Sequence, residues 1–271
     1  MIRLAVRVRR ADAEAVLAEL LELAPNGVEE SEDGEVVEYA VYGAPGELPE
    51  LPDLRAAAGE ALVEIQSREV PDDWYDGWKR FHRPVEIGGR LHVRPPWEPP
   101  RDDLLDIAID PGQAFGTGSH HTTRMCLELL LELEPGGGFA DLGCGSGVLG
   151  IAAARLGWGP VVGLDHEAAA VEAAGENAAA NGVTLDVRRW DVRSDPMPEA
   201  ATVAANLLRP LLLVVAQRIE VLPAHLVAGG LLREEADEVS AAFAARGLRE
   251  RDRREAGEWA ALLLVRDDRP A

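Results

Sequence analysis

The stretch "DLGCGSGVLG", residues 141–150, constrains this chain more than any other. It joins an apolar run, "GGFADLG", to a segment of helix formers, "SGVLGIAAARLG". A strand that enters a helix through closely spaced glycines reads as a βα unit whose turn lets its backbone approach a ligand. The alternation continues downstream. "PVVGLD", "TLDVRRW", "ATVAAN" and "AHLVAGG" read as strands. "AAAVEAAGENAAANG", stopped at Asn181-Gly182, and the stretches near 211–220 and 234–246 read as helices. The closely joined "LRERDRREAG" and "EWAALLLVR" predict a final antiparallel pair. The expected fold class is therefore α/β, with a doubly wound, mostly parallel sheet. Its ligand belongs at the carboxyl ends of the strands, where the strand order reverses.

The region before this sheet has a different rhythm. "IRLAVRVR" alternates Ile2, Leu4, Val6 and Val8 with charged or small residues, the period of a half-buried strand. "ADAEAVLAELLELA" has helical spacing, "EVVEYAVYG" reads as a strand, 54–61 as a helix and "ALVEIQSREV" as a closing strand. Residues 1–66 are thus expected to form a small α+β domain of split βαβ type. Residues 67–100 read as a linker: a short helix carrying Trp74, Trp78 and Phe81, then a proline loop from Pro95 to Pro100. Residues 101–271 form the sheet domain.

Composition narrows the partners. The formal net charge is −21 over 271 residues, which argues against generic binding to nucleic-acid phosphates. No signal-like segment and no bilayer-length apolar run is visible, so no membrane partner is expected. Cys126 and Cys144 fall in packed-looking patterns, and the expectation is a cytoplasmic protein with reduced thiols. The adjacent His120 and His121 have no partner at metal-ligand spacing, so no metal is expected.

Two ligand readings of the glycine loop compete. Gly145, Gly147 and Gly150 satisfy G-x-G-x-x-G, and Asp165 ends the next strand, as in a dinucleotide site. Alternatively, Gly143, Gly145 and Gly147 form G-x-G-x-G behind Asp141. A carboxylate at Asp141 repels a pyrophosphate but suits a ligand bearing a sulfonium or ammonium. That ligand is S-adenosyl-L-methionine, with Asp165 accepting from both ribose hydroxyls. A ligand-free tight turn is the bland alternative. Asp191 in "WDV" stands where an adenine amino group is met, while Trp190 either stacks or packs. Asn206, ending "ATVAAN", offers a carbonyl that accepts from an incoming amine and aims its lone pair at the methyl carbon. Upstream, "AFGTGSHHTT" supplies Phe115, Gly116, Thr117, Gly118 and Thr122, a loop suited to the carboxylate of the methionine half. Thr122 or Thr123 is expected to cap the helix that follows. Cys144 and His166, beside the glycines and Asp165, complete the candidate cofactor-binding set. Asn206 is the candidate catalytic residue.

"DDWYDGWKRFH", "DPGQAFGTGSHHTT", "DLGCGSGVLGIAAA", "GLDHEAAAVEAAGENAAANGV", "ANLL" and "EWAALLL" together resemble the ribosomal protein L11 methyltransferase family, over about 71–265. The resemblance implies a small ferredoxin-like substrate-recognition domain, a linker helix and a seven-stranded Rossmann-like methyltransferase domain. It implies methyl transfer from S-adenosylmethionine to lysine side chains and the N-terminal amine of a basic large-subunit ribosomal protein. Position by position it makes Thr117, Gly143, Asp165 and Asn206 cofactor contacts. Two positions depart from the family pattern: His121 stands for the usual proline and Gly175 for the usual arginine. The nucleophile must be a neutral amine, and a lysine has a pKa near 10.4, so positioning and desolvation are expected to carry the reaction. His120 is the only nearby candidate base. Leu207 and Leu208 follow Asn206 with no aromatic to stack a flipped base, which favours a protein amine over RNA. The chain is expected to act as a monomer. The alternatives are methylation of another protein or a small amine, and a nicotinamide-dependent oxidoreductase.

Overall fold

Alternation in the first residues produces strand β1 (Ile2–Arg9), which buries Leu4, Val6 and Val8. This computed structural model describes residues 2–13, 16, 20, 29–34, 36–43, 48, 49, 51–69, 83–110 and 120–267. The chain divides into two units, Met1–Phe81 and His82–Ala271.

In the first unit, β1 is joined by β2 (Glu29–Asp33), β3 (Val36–Gly43), helix α1 (Leu51–Ala58) and β4 (Leu62–Glu69). The sheet order is β2-β3-β1-β4, with β1 antiparallel to both β3 and β4. This is the order of the split βαβ arrangement, as in ferredoxin-like domains. Val37, Tyr39, Val41 and Leu54 pack against the apolar face of β1, and the Tyr39 hydroxyl donates to Ala13 O at 3.0 Å. β2, "EESED", carries no apolar signal because it is an edge strand, where charge is tolerated. Most of the first expected helix, and Trp74, Trp78 and Phe81, lie outside the described residues.

The second unit begins earlier than the proline loop suggested. β5 (Val85–Ile87), β6 (Leu91–Arg94) and β7 (Leu105–Ala108) form a three-stranded sheet inside the stretch read as linker and its margin. Ile87, Leu91, Val93 and Ile107 are buried in the same apolar cluster as the helix that follows. Asp106 ties this sheet together, meeting His92 Nδ1 at 2.8 Å and Arg94 Nε at 3.0 Å.

The main sheet runs through β8 (Phe139–Leu142), β9 (Val161–Asp165), β10 (Asp186–Arg189), β11 (Thr202–Asn206), β12 (His225–Leu232), β13 (Leu248–Ala256) and β14 (Trp259–Arg266). Its order is β10-β9-β8-β11-β12-β14-β13; β14 runs antiparallel to both of its neighbours. Helices α2 (His121–Leu130), α3 (Val148–Leu156) and α4 (Ala168–Ala180) belong to one face, and α5 (Arg209–Arg218) and α6 (Ala236–Ala244) to the other. Period-two alternation sends Ala261 and Leu263 to the first face and Ala260, Leu262 and Leu264 to the second. With both faces covered, the strands read as continuous apolar runs. The strand order reverses between β8 and β11, which places a crevice at their carboxyl ends. No helix among the described residues is long and apolar enough to cross a membrane.

Candidate active site

The chain leaving β8 turns at Gly143, and the amides of Gly143 and Cys144 both donate to Leu164 O of β9, at 2.8 and 3.1 Å. Asp165, the last residue of β9, holds the loop from below: Oδ2 accepts from Gly145 N at 2.9 Å and Oδ1 from Glu167 N at 3.1 Å. A carboxylate has about four acceptor positions, so Asp165 shapes the loop and keeps lone pairs for a ligand.

Asp141 sits behind the loop, almost fully buried. Its Oδ2 accepts from Gly150 N, the third amide of α3, at 2.9 Å, and its Oδ1 is buried with no hydrogen-bond partner. This contact separates the two glycine readings. A dinucleotide site offers the amides of the helix N-terminus to a pyrophosphate. Here a carboxylate holds one of those amides, and its charge opposes a phosphate. The same carboxylate favours a cationic group above the loop.

Burial pushes the Asp141 carboxyl up to about 7, with the Asp165 charge adding to the rise and the Gly150 amide opposing it. A carboxyl raised in the folded state holds a proton that the unfolded chain has already released. Stability therefore falls as pH rises from about 4 to about 7 and levels off above. Asp141→Asn is expected to flatten this dependence, measured as urea unfolding free energy at pH 5 and pH 8. An unchanged pH slope would remove Asp141 as its source.

A cavity of about 470 Å³ opens at the crevice, in the range of cofactor pockets. Gly143, Gly145, Asp165, His166, Thr122 and Asn206 line it. A narrower cleft of about 130 Å³ shares Gly143, Asp165 and His166 with it and reaches Trp190, Asp191 and Val192. A Cβ at Gly143 would stand 2.3 Å from Leu207 Cδ2, so only glycine leaves the loop this close to the cavity wall. Trp190 is largely buried, its Nε1 donating to Pro196 O at 2.9 Å, and it lines the cleft. Asp191 accepts from Arg193 N at 2.9 Å, closing a tight turn at the mouth of that cleft. Asp141, Cys144 and Gly147 line neither space: they stand behind or beneath the loop. Burial pushes the thiols of Cys126 and Cys144 up, so both are neutral. Phe115, Gly116, Thr117 and Gly118 lie outside the described residues.

The start of α2 differs from the expectation. The cap is His120, not Thr122 or Thr123: its Nδ1 accepts from Thr122 N at 3.3 Å and meets the Thr122 hydroxyl at 2.8 Å. Both threonines are already inside the helix. An Nδ1 that accepts from an amide puts the neutral ring's proton on Nε2. Burial, and then the neighbouring His121, lower the His120 pKa and keep the ring neutral. It packs edge-on against Trp259 with centroids 5.1 Å apart. Among the described residues, no group of three or more His, Cys, Asp or Glu side chains is placed to hold a metal.

Asn206 ends β11 with its Nδ2 donating to Thr123 Oγ1 at 3.2 Å and its Oδ1 buried without a partner. Around it, Leu207, Leu208, Leu211, Gly230 and Trp259 also line the cavity. Sequence reasoning missed these as site residues. Leu208 is 66% exposed, an apolar side chain left in water beside a polar strand end, but that exposure is visible only in the structure. Gly230 and Trp259 come from distant strands, and no local pattern marks them.

The donor set fits S-adenosylmethionine: a carboxylate on the cavity wall at Asp165 with acceptor positions to spare, a buried carboxylate behind the glycine loop at Asp141, and an amide at Asn206. Fold and site together define the second unit as a Rossmann-like, S-adenosylmethionine-dependent methyltransferase. The model of the family described as ribosomal protein L11 methyltransferase (PrmA) matches residues 53–267. A ribosomal protein L11 methyltransferase of Pelobacter propionicus is 41% identical over 215 residues, covering 74% of this chain and 69% of that protein. One from Heliobacterium modesticaldum is 38% identical over 203 residues, covering 72% of this chain and 64% of that protein. The match thus spans about two thirds of the length of these relatives. The crystal structure of a ribosomal protein L11 methylase from Lactobacillus delbrueckii subsp. bulgaricus superposes with a TM-score of 0.62 at 26% identity, covering 68% of this chain and 99% of that one. The chain belongs to the ribosomal protein L11 methyltransferase family.

Asp165→Ala is expected to weaken S-adenosylmethionine binding by about 1.5–3 kcal/mol, read by calorimetry, because a charged acceptor and the hold on Gly145 N are both lost. Asp165→Asn keeps one acceptor and should lose less. Unchanged affinity in the alanine variant would refute the ribose assignment.

Proposed function

We propose that this chain transfers methyl groups from S-adenosylmethionine to amino groups of ribosomal protein L11, on lysine side chains and at the N-terminus. Family membership supports the reaction class. The observation that carries the residue assignment is that Asn206, at the end of β11, lines the cavity. When bound, S-adenosylmethionine supplies an electrophilic methyl group on a sulfonium.

The protein's own residues do the rest. Asn206 Oδ1 accepts one N–H of the incoming amine, which leaves the lone pair directed at the methyl carbon. Leu207, Leu208, Leu211 and Trp259 make that side of the cavity apolar. An apolar wall disfavours ammonium and pulls the amine below its usual pKa of about 10.4. His120 Nδ1 is held by the helix cap, so we assign His120 no base function; the proton released on transfer goes to solvent. The net charge of −21 favours a basic protein over a phosphate backbone. In this reading the enzyme works as a monomer in the cytoplasm, with Gly143, Gly145, Asp165, His166, Thr122 and Asp191 as cofactor contacts.

The test is intact-mass spectrometry of L11 after incubation with the protein and S-adenosylmethionine. Mass steps of one methyl group, absent without enzyme, are expected. Methylation of ribosomal RNA with no shift in L11 would overturn the assignment.

A further inference from the structure

We infer that Arg218 is a positioning residue for base recognition: it holds the turn that carries Asp191 to the narrower cleft, an inference that rests on the reading of Asp191 as the adenine contact. Arg218 is the last residue of α5 and lines neither the cavity nor the cleft, so it is placed to act through another group. Its Nη1 donates to Val192 O and its Nη2 to Ser194 O, the latter at 3.2 Å. The described partners of this guanidinium are thus backbone carbonyls of one turn.

Residues 191–195 fold on themselves. Ser194 N and Asp195 N donate to Asp191 O at 3.1 and 2.9 Å, and Asp191 N donates to Asp195 Oδ2 at 2.8 Å. Arg193 N donates to Asp191 Oδ1 at 2.9 Å, which fixes one oxygen of a side chain that is still 44% exposed at the cleft. Bonds within a turn set its shape and leave open where it stands. Arg218 settles that: its donors form a rigid planar fork, and the fork spans two alternate carbonyls of the turn. The helix that carries it is anchored, with Leu212, Val215 and Ala216 in the apolar cluster that also takes Val192. The guanidinium is therefore the fixed reference, and the turn is the group that it places.

The consequence is for the choice of base. Adenine offers an amino group, a donor, to the Asp191 carboxylate. Hypoxanthine offers a carbonyl at the same place, an acceptor against an acceptor. A site built to receive an N–H rejects the analogue that lacks it, provided that its own acceptor stands in register. A turn released from Arg218 loses that register. The ribose contact proposed for Asp165 does not depend on it, because Asp165 ends β9 and is held by Gly145 N and Glu167 N. Loss of the Arg218 donors therefore acts on base preference.

The probes are S-adenosylhomocysteine and S-inosylhomocysteine, which differ at that position of the base, with affinities read by calorimetry. The wild type should favour the adenine ligand by about tenfold or more. Arg218→Met, which keeps most of the stem and removes the donors, should cut that preference to about threefold or less and leave the affinity for S-inosylhomocysteine within about threefold of the wild type. Arg218→Lys, which keeps the charge but not the fork, should fall between. Solvent exchange of the Ser194 and Asp195 amides, followed by NMR without ligand, should accelerate about tenfold or more in Arg218→Met. A role in stability alone would lower Tm and leave the base preference intact, and that result overturns the inference. Asp191→Ala separates it from the reading beneath it. A preference lost in Asp191→Ala but kept in Arg218→Met overturns the inference alone. No preference in the wild type, or one kept in Asp191→Ala, overturns the adenine reading and the inference with it. If Arg218→Met does not fold, Arg218→Gln and Arg218→Lys carry the same comparison.

Discussion

Asn206→Ala is expected to lower kcat for methyl transfer by about a hundredfold while the protein stays folded and binds its cofactor. The side chain makes one described hydrogen bond, to Thr123 at 3.2 Å, so its removal costs about 1 kcal/mol of stability. The larger effect is on chemistry. In the proposed mechanism Oδ1 accepts from the amine, so its removal leaves the lone pair unaligned with the methyl group. Asn206→Asp makes a sharper comparison. It keeps the shape but places a negative charge beside the amine, which favours ammonium. Its residual activity should therefore rise with pH more steeply than that of the wild type. Stopped-time methylation assays across pH 7–10 check both variants. A wild-type rate in Asn206→Ala would remove Asn206 from the mechanism.

Gly230→Ala is expected to give the largest loss of stability. The residue has φ +78°, and a Cβ there would stand 2.6 Å from Leu207 O and 2.8 Å from Leu207 C. The left-handed conformation alone costs a non-glycine residue about 1–2 kcal/mol. The contact is with backbone, so no side-chain rotation relieves it. The pairing of β12 with β14 slips between Ala228 and Leu231, and this bulge carries Gly230 up to the Leu207 peptide. We expect a total loss of about 3 kcal/mol or more and a fall in Tm of about 10 °C, together with displaced Asn206 and reduced activity. Gly175→Ala is the control of opposite sign. Nothing lies within 4 Å of a Cβ on Gly175, which sits inside α4, and alanine there should stabilise by up to about 1 kcal/mol. Equal Tm values for the two alanine variants would show that the bulge is far softer than its contacts imply.

These two positions differ in how visible they were. Asn206 stood out in the sequence as a polar residue ending an apolar strand next to a turn, and in the structure it lines the cavity. Gly230 lies in "AHLVAGGLL", which reads as a strand with weak spots; its contact is with a residue 23 positions earlier, across a parallel neighbour. Trp259 was read only as part of the last strand, "EWAALLLVR". It opens β14, packs on His120 and lines the cavity, but only the β12–β14 pairing brings it there. The helix cap was misplaced because threonine is the commoner cap, and histidine competes only where its ring is held, here against Trp259. The sheet of β5, β6 and β7 escaped because strands of three and four residues among turns carry too little periodicity to register.

The sequence by itself determined the seven-stranded sheet of the second unit and the helices that cover it. Helix and strand periods, and glycines at strand ends, are local properties. They specify repeated βα units, and those units build a parallel sheet with its crevice at the strand ends. It also determined the chemistry on offer: two acidic residues around a glycine loop and an amide at the next strand end. Tertiary structure alone decided how those groups divide the work. Asp141 went behind the loop to hold the α3 amide of Gly150, Asp165 to the cavity wall, and Asn206 to the same wall with its amide nitrogen on Thr123. Hydrogen-bond direction and burial depend on partners tens of residues away, and only packing brings those partners together.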